Sequence, residues 1–270
     1  MNKTTHIIVV ALAAMLAGCN NQPEPQNLDD EQEYQPKQIT YQNYTARDSN
    51  QYYVIDIEAT LPVPDGDEVL ERITNSLLAD FDAPASVRNP DPQKVLDRLF
   101  QTQQINLKQA SQDMLEYIDD NDYFPQLAYH QSVYNVSQNK HFISFLFSGY
   151  EYGGGAHGIS YAVHRNFDMQ TGFPITENDM FSDTASVARM LRTSALRQYM
   201  RENNDFEVFS VNAITTNGNF IITPDSLMYH YGSYEIAAYC YGQPILRLHK
   251  DDIKPYLRTE SCVYKYWFGE

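Results

Sequence analysis

The most distinctive chemical feature of the sequence is a glycine-rich run with one histidine, Gly-Gly-Gly-Ala-His-Gly from Gly153 to Gly158. Glycine permits positive φ angles and close backbone approach. The run is not a phosphate loop, because no Gly-Lys-Ser/Thr follows it and no helix is expected to begin there. It also lacks the Gly-x-Ser-x-Gly pattern of a hydrolase nucleophile, since Ser160 lies beyond Gly158. We predict that His157 hydrogen-bonds a turn, with partner contact and catalysis as alternatives.

The other ionisable residues show no spacing typical of a metal or catalytic site. The zinc pattern His-Glu-x-x-His does not occur in the sequence. His157 and His164 would lie far apart on opposite faces of an extended backbone. Carboxylates such as Glu151, Asp168 and Glu235 are present, but no spacing marks two of them as an acid and base pair. We therefore predict no catalytic residue, no metal site and no cofactor.

Two cysteines in the C-terminal part, Cys240 and Cys262, are candidates for a disulfide. Their spacing suits neither zinc nor a redox pair, and an oxidising compartment would favour a bond between them. The expected bond would tie a tail, residues 261–267, back to the body of the protein. The alternative is two free thiols, with Cys240 buried among apolar residues.

The N-terminal half of the sequence predicts a strand followed by two helices. Residues 53–61 alternate between apolar and polar side chains, as in a half-buried strand. Leu70, Ile73, Leu77 and Phe81 recur at helical spacing within residues 67–81. A second helix is expected to begin at Asp91-Pro92, a capping residue followed by a proline, and to continue to about Tyr117.

The following segments predict further strands around one long helix. Residues 127–136, 142–150 and 159–169 have strand patterns, and residues 184–202 have a helical one. A hairpin is expected around Pro224-Asp225. The remaining elements are a strand at 245–248 and a short helix at 251–257. Because strands and helices do not alternate strictly, we predict the α+β class: antiparallel sheets with helices packed on one face, in two associated subdomains.

The N-terminus has the features of an export signal. Lys3 precedes an apolar run, Ile7 to Ala14, which is too short for a permanent membrane helix. The run ends at Leu16-Ala17-Gly18-Cys19, which resembles the lipobox of bacterial lipoproteins. That resemblance implies cleavage after residue 18 and lipid on Cys19, which anchors the protein to the outer membrane of the cell envelope. The alternative is an ordinary secretory signal in which Cys19 is incidental.

Residues 19–38 are almost entirely polar, so we predict a flexible acidic tether. Its acidic residues at 29–33 solvate the segment, or alternatively act as an address for export to the cell surface. The whole chain carries 35 acidic and 19 basic side chains and a net charge of −16, which disfavours nucleic acid and favours a basic partner. The 21 tyrosines indicate β-rich structure, or alternatively aromatic platforms for a sugar or protein partner.

Several landmarks together resemble a known bacterial extracytoplasmic domain. They are the run at 150–158, Asn-Phe-Asp-Met-Gln-Thr-Gly at 166–172, Asp-Met-Phe at 179–181 and a closing part at 220–242. The series is similar to a domain of unknown function found in the lysozyme-sensing anti-sigma factor RsiV and beside peptidoglycan deacetylases. Residues 53–147 more weakly resemble its N-terminal companion. The resemblance implies a companion subdomain at 39–150 and an RsiV-like subdomain at 151–270.

The resemblance also implies a function near peptidoglycan. Since the chain shows neither a sigma-binding segment nor an appended deacetylase domain, we expect a stand-alone, non-enzymatic envelope module that binds a lysozyme-like protein or peptidoglycan. The alternatives are an enzyme that hydrolyses or modifies wall glycan, and a structural or assembly lipoprotein. The binding residues that we predict are Tyr152, His157, Tyr161, Tyr234 and Glu235.

Overall fold

The structure, a computed structural model, describes residues 37–83, 87–118, 124–198 and 207–269. The predicted signal peptide, Cys19 and nearly all of the predicted tether lie outside these residues. Among the helices described, none is long and apolar enough to span a membrane.

A five-stranded sheet forms the N-terminal part of the fold. Its strands lie in the order β1-β2-β3-β4-β5, and every neighbouring pair is antiparallel except β2 and β3, which are parallel. The edge strand β1 was not predicted, because its exposed positions are polar. The others match the predicted strand segments. The bounds are β1 Tyr41–Ser49, β2 Tyr53–Pro62, β3 Leu127–Gln138, β4 Phe142–Tyr152 and β5 Ile159–Asp168.

Two helices cross over between the parallel strands and cover one face of this sheet. They are α1 (Glu68–Ala79) and α2 (Pro92–Leu115). Both begin as the sequence predicts, because the Asp67 carboxylate accepts from two backbone amides of α1, and that of Asp91 does the same for α2. Burying the apolar sides of both helices against the sheet provides the first core. Its fully buried members include Ile55, Ile57, Leu77, Phe81, Leu96 and Phe145.

A second layer contains a three-stranded antiparallel sheet, β6 (Phe220–Ile222), β7 (Ser226–His230) and β8 (Ile245–His249). Its hairpin turns at Pro224-Asp225, as predicted. The surrounding helices are α3 (Glu177–Met180), α4 (Thr184–Gln198), α5 (Lys250–Ile253) and α6 (Cys262–Phe268), with short 3-10 turns at Val211–Ala213, Tyr239–Tyr241 and Lys254–Tyr256. This layer has its own core, which includes Leu191, Leu227, Tyr229, Leu246 and Ile253.

Two asparagine side chains, the buried Asn166 and the half-buried Asn219, join the two sheets along β5. The Asn166 side chain donates to the carbonyl of Phe220 at 2.9 Å and accepts from the Ser144 hydroxyl at 2.6 Å. Asn219 accepts from the backbone N–H of His164 and donates to the carbonyl of Ala162, both at 2.8 Å. The predicted α+β class with two sheet subdomains is thereby confirmed.

Two predictions about chain organisation are wrong. The boundary predicted between residues 150 and 151 falls inside β4, and β5 on its far side pairs with β4 in the same sheet. The segment predicted as a tail, 261–267, forms helix α6. Trp267 in that helix is buried and donates its indole N–H to the carbonyl of Thr223 at 2.8 Å, so packing rather than a covalent bond holds the C-terminus.

The predicted disulfide is also wrong, because Cys240 and Cys262 are both free in the structure. Tyr239, beside Cys240, contacts Gly158 just before the start of β5. Cys262 interacts with Asp168 at the end of β5. A ten-residue strand is about 33 Å long, whereas a disulfide needs the Cα atoms within ~7 Å. Cys240 is exposed rather than buried.

Candidate binding face

A polar groove lies on the face of the five-stranded sheet opposite helices α1 and α2. Alternation along each strand places polar side chains on this open face. The groove has a volume of about 560 Å³. The polar residues that line it include Asp56, Glu58, His130, Ser132, Ser148, Tyr150, Ser160 and Gln243.

Hydrogen bonds hold the floor of the polar groove, and the salt bridges of Arg47 hold one end of it. The hydroxyls of Ser132 and Ser148 lie 2.8 Å apart on neighbouring strands. At the opposite side, Gln243 of the second layer donates to the carbonyl of Ser160 at 2.6 Å. Arg47 of β1 reaches Asp56 at 2.5 Å and Glu58 at 2.9 Å. Because these pairs are exposed, they contribute little stability but partly neutralise the acidic end.

An aromatic rim lies beside the polar groove and is formed by the exposed His157 and Tyr234 and the half-buried Tyr239. The rings of His157 and Tyr239 are stacked, with centroids 4.0 Å apart and planes 13° apart. Tyr234 lies 5.7 Å from Tyr239, and its hydroxyl is 3.4 Å from Nε2 of His157. The Tyr239 hydroxyl donates to the carbonyl of Gly158 at 3.0 Å, which connects the rim to the strand that begins there.

Gly158, which follows His157, leaves room for the ring of Tyr150. A Cβ added to Gly158 would lie 2.4 Å from the ring of Tyr150, so this ring covers the glycine directly. Tyr150 also lines the polar groove and lies 6.2 Å from the ring of His130. The glycine-rich run therefore brings the aromatic rim and the polar groove together.

Tyr234 has a backbone conformation that is unusual for an aromatic residue. Its φ angle is +66°, in the left-handed region, and its side chain is 50% exposed. Such a conformation costs on the order of 1 kcal/mol and persists only where the surroundings require it. The adjacent Glu235 supplies that support, because its carboxylate accepts from the N–H of Gly232 at 2.7 Å and from the side chain of Asn217 at 3.0 Å.

The structure brings together some of the predicted binding residues and separates others. His157 and Tyr234 meet in the aromatic rim. Tyr152 lies close by and donates to the carbonyl of Gly155 at 2.8 Å, which closes the glycine-rich turn. Glu235 closes a turn rather than facing a ligand.

The side chain of Tyr161 points to the helix-covered face, where burial raises its pKa to about 12. It shares that face with Arg165, four residues further along β5, whose guanidinium pairs with Asp80 at the end of α1. Tyr161 is among the residues that line the groove, but its ring lies over Gly149 on the helix-covered face.

Sequence reasoning missed Tyr239 and Gln243, which approach the groove only through the packing of the second layer onto β5. It also missed His130 and Tyr150, although His130 gave a signal, since it lies between the buried Tyr129 and Gln131 in an alternating strand. His130, Tyr150 and Ser160 lie on three neighbouring strands, so only the register of the sheet brings them together.

The predicted His157 turn contact is present, since Nδ1 of His157 lies 3.1 Å from the carbonyl of Gly158. The ring itself is exposed. His164 takes a different position, buried between the sheets, where its Nε2 lies 3.3 Å from Nδ1 of His230. Burial, and then the neighbouring His230, lower the pKa of His164 to about 4.

The carboxylates singled out in the sequence lie in separate local structures. Asp168 accepts from the backbone amides of Gln170 and Thr171 in a turn, Glu235 closes another turn, and Glu151 is exposed on β4. Among the residues that the structure describes, no three His, Cys, Asp or Glu side chains lie close enough to hold a metal ion.

Two family models match separate parts of the chain. Residues 47–160 match a model described as "Deacetylase PdaC", and residues 178–251 match one described as "Protein of unknown function (DUF3298)". The Gly153–Gly158 run falls in the first region, whereas we expected it in the C-terminal subdomain. Tyr234 and Tyr239 fall in the second region, so the aromatic rim is built from both. No curated protein matches the chain significantly.

Solved structures of similar fold come from the same family of unknown function. A crystal structure of a DUF3298 family member from Bacteroides fragilis aligns with a TM-score of 0.70 and 14% identity, over 84% of this chain and 97% of its own. A DUF3298 family protein from Pseudomonas aeruginosa PAO1 aligns with a TM-score of 0.52 and 14% identity, over 82% of this chain and 93% of its own. At this identity the likeness shows the fold.

Proposed function

We propose that the protein is a non-enzymatic binding module of the cell envelope that holds a glycan strand, such as that of peptidoglycan, on its open sheet face. The observation that carries this proposal is the stack of the exposed His157 on the half-buried Tyr239, beside a groove of hydroxyl, amide and imidazole groups. Flat aromatic faces suit the apolar faces of sugar rings, and the polar groups of the groove suit their hydroxyls.

The dimensions and chemistry of the groove support a sugar ligand. A volume of about 560 Å³ lies within the range of small-molecule sites. Asp56 and Glu58 both accept from Arg47, which leaves neither placed as a free proton donor, and binding without turnover is the simpler use of the groove. The match of residues 47–160 to a model named for a deacetylase agrees with a place near wall glycan.

The lipid anchor remains part of the proposal. Cys19 would carry the lipid and hold the module at the outer membrane, where peptidoglycan is within reach of the tether. The substitution Cys19→Ala should release mature protein from membranes or leave uncleaved precursor. Mature protein that still fractionates with membranes would contradict the anchor, and it would leave the glycan proposal intact.

The test of the glycan proposal is binding to purified peptidoglycan and to soluble muropeptides by the full mature protein. We expect Tyr239→Ala to weaken binding about tenfold, equivalent to about 1.4 kcal/mol. The matched control is Phe173→Ala, which removes a 58% exposed aromatic ring near the Asp168 end of β5. No binding by the wild type, or equal loss in both variants, would contradict the proposal. Release of acetate or sugar fragments would favour the enzymatic alternative.

The net charge of −16 favours a second candidate, a basic protein partner such as lysozyme. Exposed charges are screened within ~8 Å at physiological ionic strength, so a complex of this kind should weaken steeply as salt rises. Glycan binding through the aromatic rim should change little with salt. Titration of lysozyme and of muropeptides at low and high salt separates the two candidates.

A further inference from the structure

We propose that a second site, in the second layer, binds a phosphate-type oxyanion between α4 and β8. A cavity of about 650 Å³ opens there. Three arginines line it, Arg189 and Arg197 of α4 and Arg247 of β8. We call this cavity the arginine pocket. It is independent of the glycan proposal, because it shares no lining residue with the polar groove.

Helical spacing explains why the arginines of α4 face the same cavity. Ser186, Arg189, Thr193 and Arg197 recur at three- and four-residue intervals and so share one side of the helix. Val187 and Leu191, on another side, are fully buried in the core. Burial of that apolar side leaves the arginine side to face outward.

Local hydrogen bonds orient two of the three guanidinium groups. Arg189 donates to the hydroxyl of Ser186 at 2.6 Å. Arg247 donates to the hydroxyl of Ser226 at 2.6 Å and pairs with Asp225 at 2.5 Å. The Ser194 hydroxyl of α4 donates to the backbone carbonyl of Arg247 at 2.8 Å, which joins the two walls. The charged groups are thus held on both sides of one opening.

The arginine pocket has basic lining residues, whereas the chain as a whole is acidic. The sequence has 35 acidic and 19 basic side chains, yet three arginines line this cavity. Among the described lining residues, Asp252 is the one carboxylate. Asp225, paired with Arg247, and Asp183, close to Arg189, offset part of the arginine charge, and the donor groups that remain at the opening attract an anion.

The geometry of guanidinium favours a phosphate group as that anion. Its planar fork donates two parallel hydrogen bonds to an oxyanion, and its charge persists at any physiological pH. The cavity is large enough for more than one phosphate, so a diphosphate or a phosphate-bearing headgroup would fit. The shared chemistry is the phosphate oxyanion, and its source can be soluble or a lipid surface.

The experiment measures binding of pyrophosphate to the full mature protein by calorimetry, with sodium chloride matched for ionic strength. We expect saturable binding and a rise in melting temperature with ligand concentration. Arg189→Gln combined with Arg197→Gln should weaken the affinity at least tenfold. Arg88→Gln is the matched control, because that side chain is 85% exposed and lies near α1.

A parallel arm uses vesicles of phosphatidylglycerol and of phosphatidylcholine. Binding to the anionic vesicles that the double variant loses and the control keeps would assign the phosphate to a lipid headgroup. Binding of pyrophosphate with the same dependence, and no vesicle binding, would assign a soluble ligand. The proposal is overturned if neither probe binds above the chloride control, or if the double variant binds both as the wild type does.

Discussion

The imidazole of His164 meets that of His230 in the interior between the two sheets, with 3.3 Å between Nε2 and Nδ1. Both side chains are at least nine-tenths buried. Burial lowers the pKa of each, and for His164, where His230 adds a second effect, the value falls to about 4. Two neutral imidazoles are therefore part of the packing that joins β5 to the second layer.

This relationship predicts a stability that depends on pH. The folded pKa of His164 is lower than the unfolded value of 6.5, so the unfolded chain binds more protons between pH 6.5 and about 4. Stability should therefore fall as pH falls through that window, by up to roughly 3 kcal/mol for this residue. Urea unfolding at several pH values measures it. His164→Gln should flatten the decline relative to wild type, whereas His130→Gln, on the open face, should leave it unchanged.

The close packing of β5 against β4 predicts that a methyl group added at Gly149 destabilises the protein. A Cβ on Gly149 would lie 2.2 Å from the ring of Tyr161, whereas one on Gly153 would meet nothing within 4 Å. Gly149→Ala should destabilise the protein by about 1–3 kcal/mol through overpacking. Gly153→Ala should change the free energy of unfolding by less than about 0.5 kcal/mol. Equal melting temperatures for the two variants would contradict this packing.

The C-terminal helix predicts a large loss of stability when its tryptophan is removed. Trp267 is 8% exposed and hydrogen-bonds the carbonyl of Thr223. Trp267→Ala should cost about 3–5 kcal/mol, as large core truncations do. Leu196→Ala, which removes a 39% exposed side chain of α4, is the control. If the two variants unfold at the same denaturant concentration, α6 does not belong to the core.

Thiol labelling should distinguish the two cysteines of the folded domain. Cys240 is exposed, so it should react in the native protein. Burial, and then the nearby Asp168, raise the pKa of the Cys262 thiol to about 12, which suppresses the reactive thiolate. Cys262 should therefore react only after unfolding. Mass spectrometry of native and denatured samples counts the labels, and a linked Cys240–Cys262 peptide would show that the bond forms.

The exposure of His157 in its stack with Tyr239 predicts that this residue matters more for binding than for stability. His157→Ala should lower the free energy of unfolding by less than about 1 kcal/mol, because its ring is exposed. Glycan affinity should fall several-fold, because Tyr239 loses its stacking partner. Calorimetric binding and thermal melts of the same variant give both values. A large stability loss with unchanged affinity would restore the structural role that we predicted from the sequence.

Local patterns made the individual elements predictable. The starts of helices α1 and α2, directly after the capping residues Asp67 and Asp91, were predictable because the capping signal is contained in a few adjacent residues. The alternation of β2 and the spacing of buried residues in α4 likewise require only neighbours. β1 was missed because a polar edge strand has no apolar period, and α6 because a seven-residue helix is set by packing of Trp267 and Val263.

The candidate site was less predictable because it depends on contacts between distant segments. The glycine-rich run marked His157 as a candidate residue. Its stacking partner Tyr239 lies in a Tyr-Cys-Tyr turn that has no recognisable pattern. Tyr161 was predicted as a binding residue, yet the pairing of Gly149 with Tyr161 places its ring on the helix side. Strand parity alone would have separated Tyr161 from Ser160, and only the register shows which of the two faces is open.

The parallel pairing of β2 with β3 has a consequence for how the protein folds. β1 with β2, and β3 with β4 and β5, are antiparallel groups of strands that follow one another in the chain, so each closes short loops. The β2–β3 pair joins these groups across the whole α1–α2 crossover. Because long-range pairing forms slowly, the two groups should assemble first and combine late. Amides in the β2–β3 pair should then exchange through the most cooperative opening of the sheet. Amides of the edge strand β1 should instead exchange through local fraying.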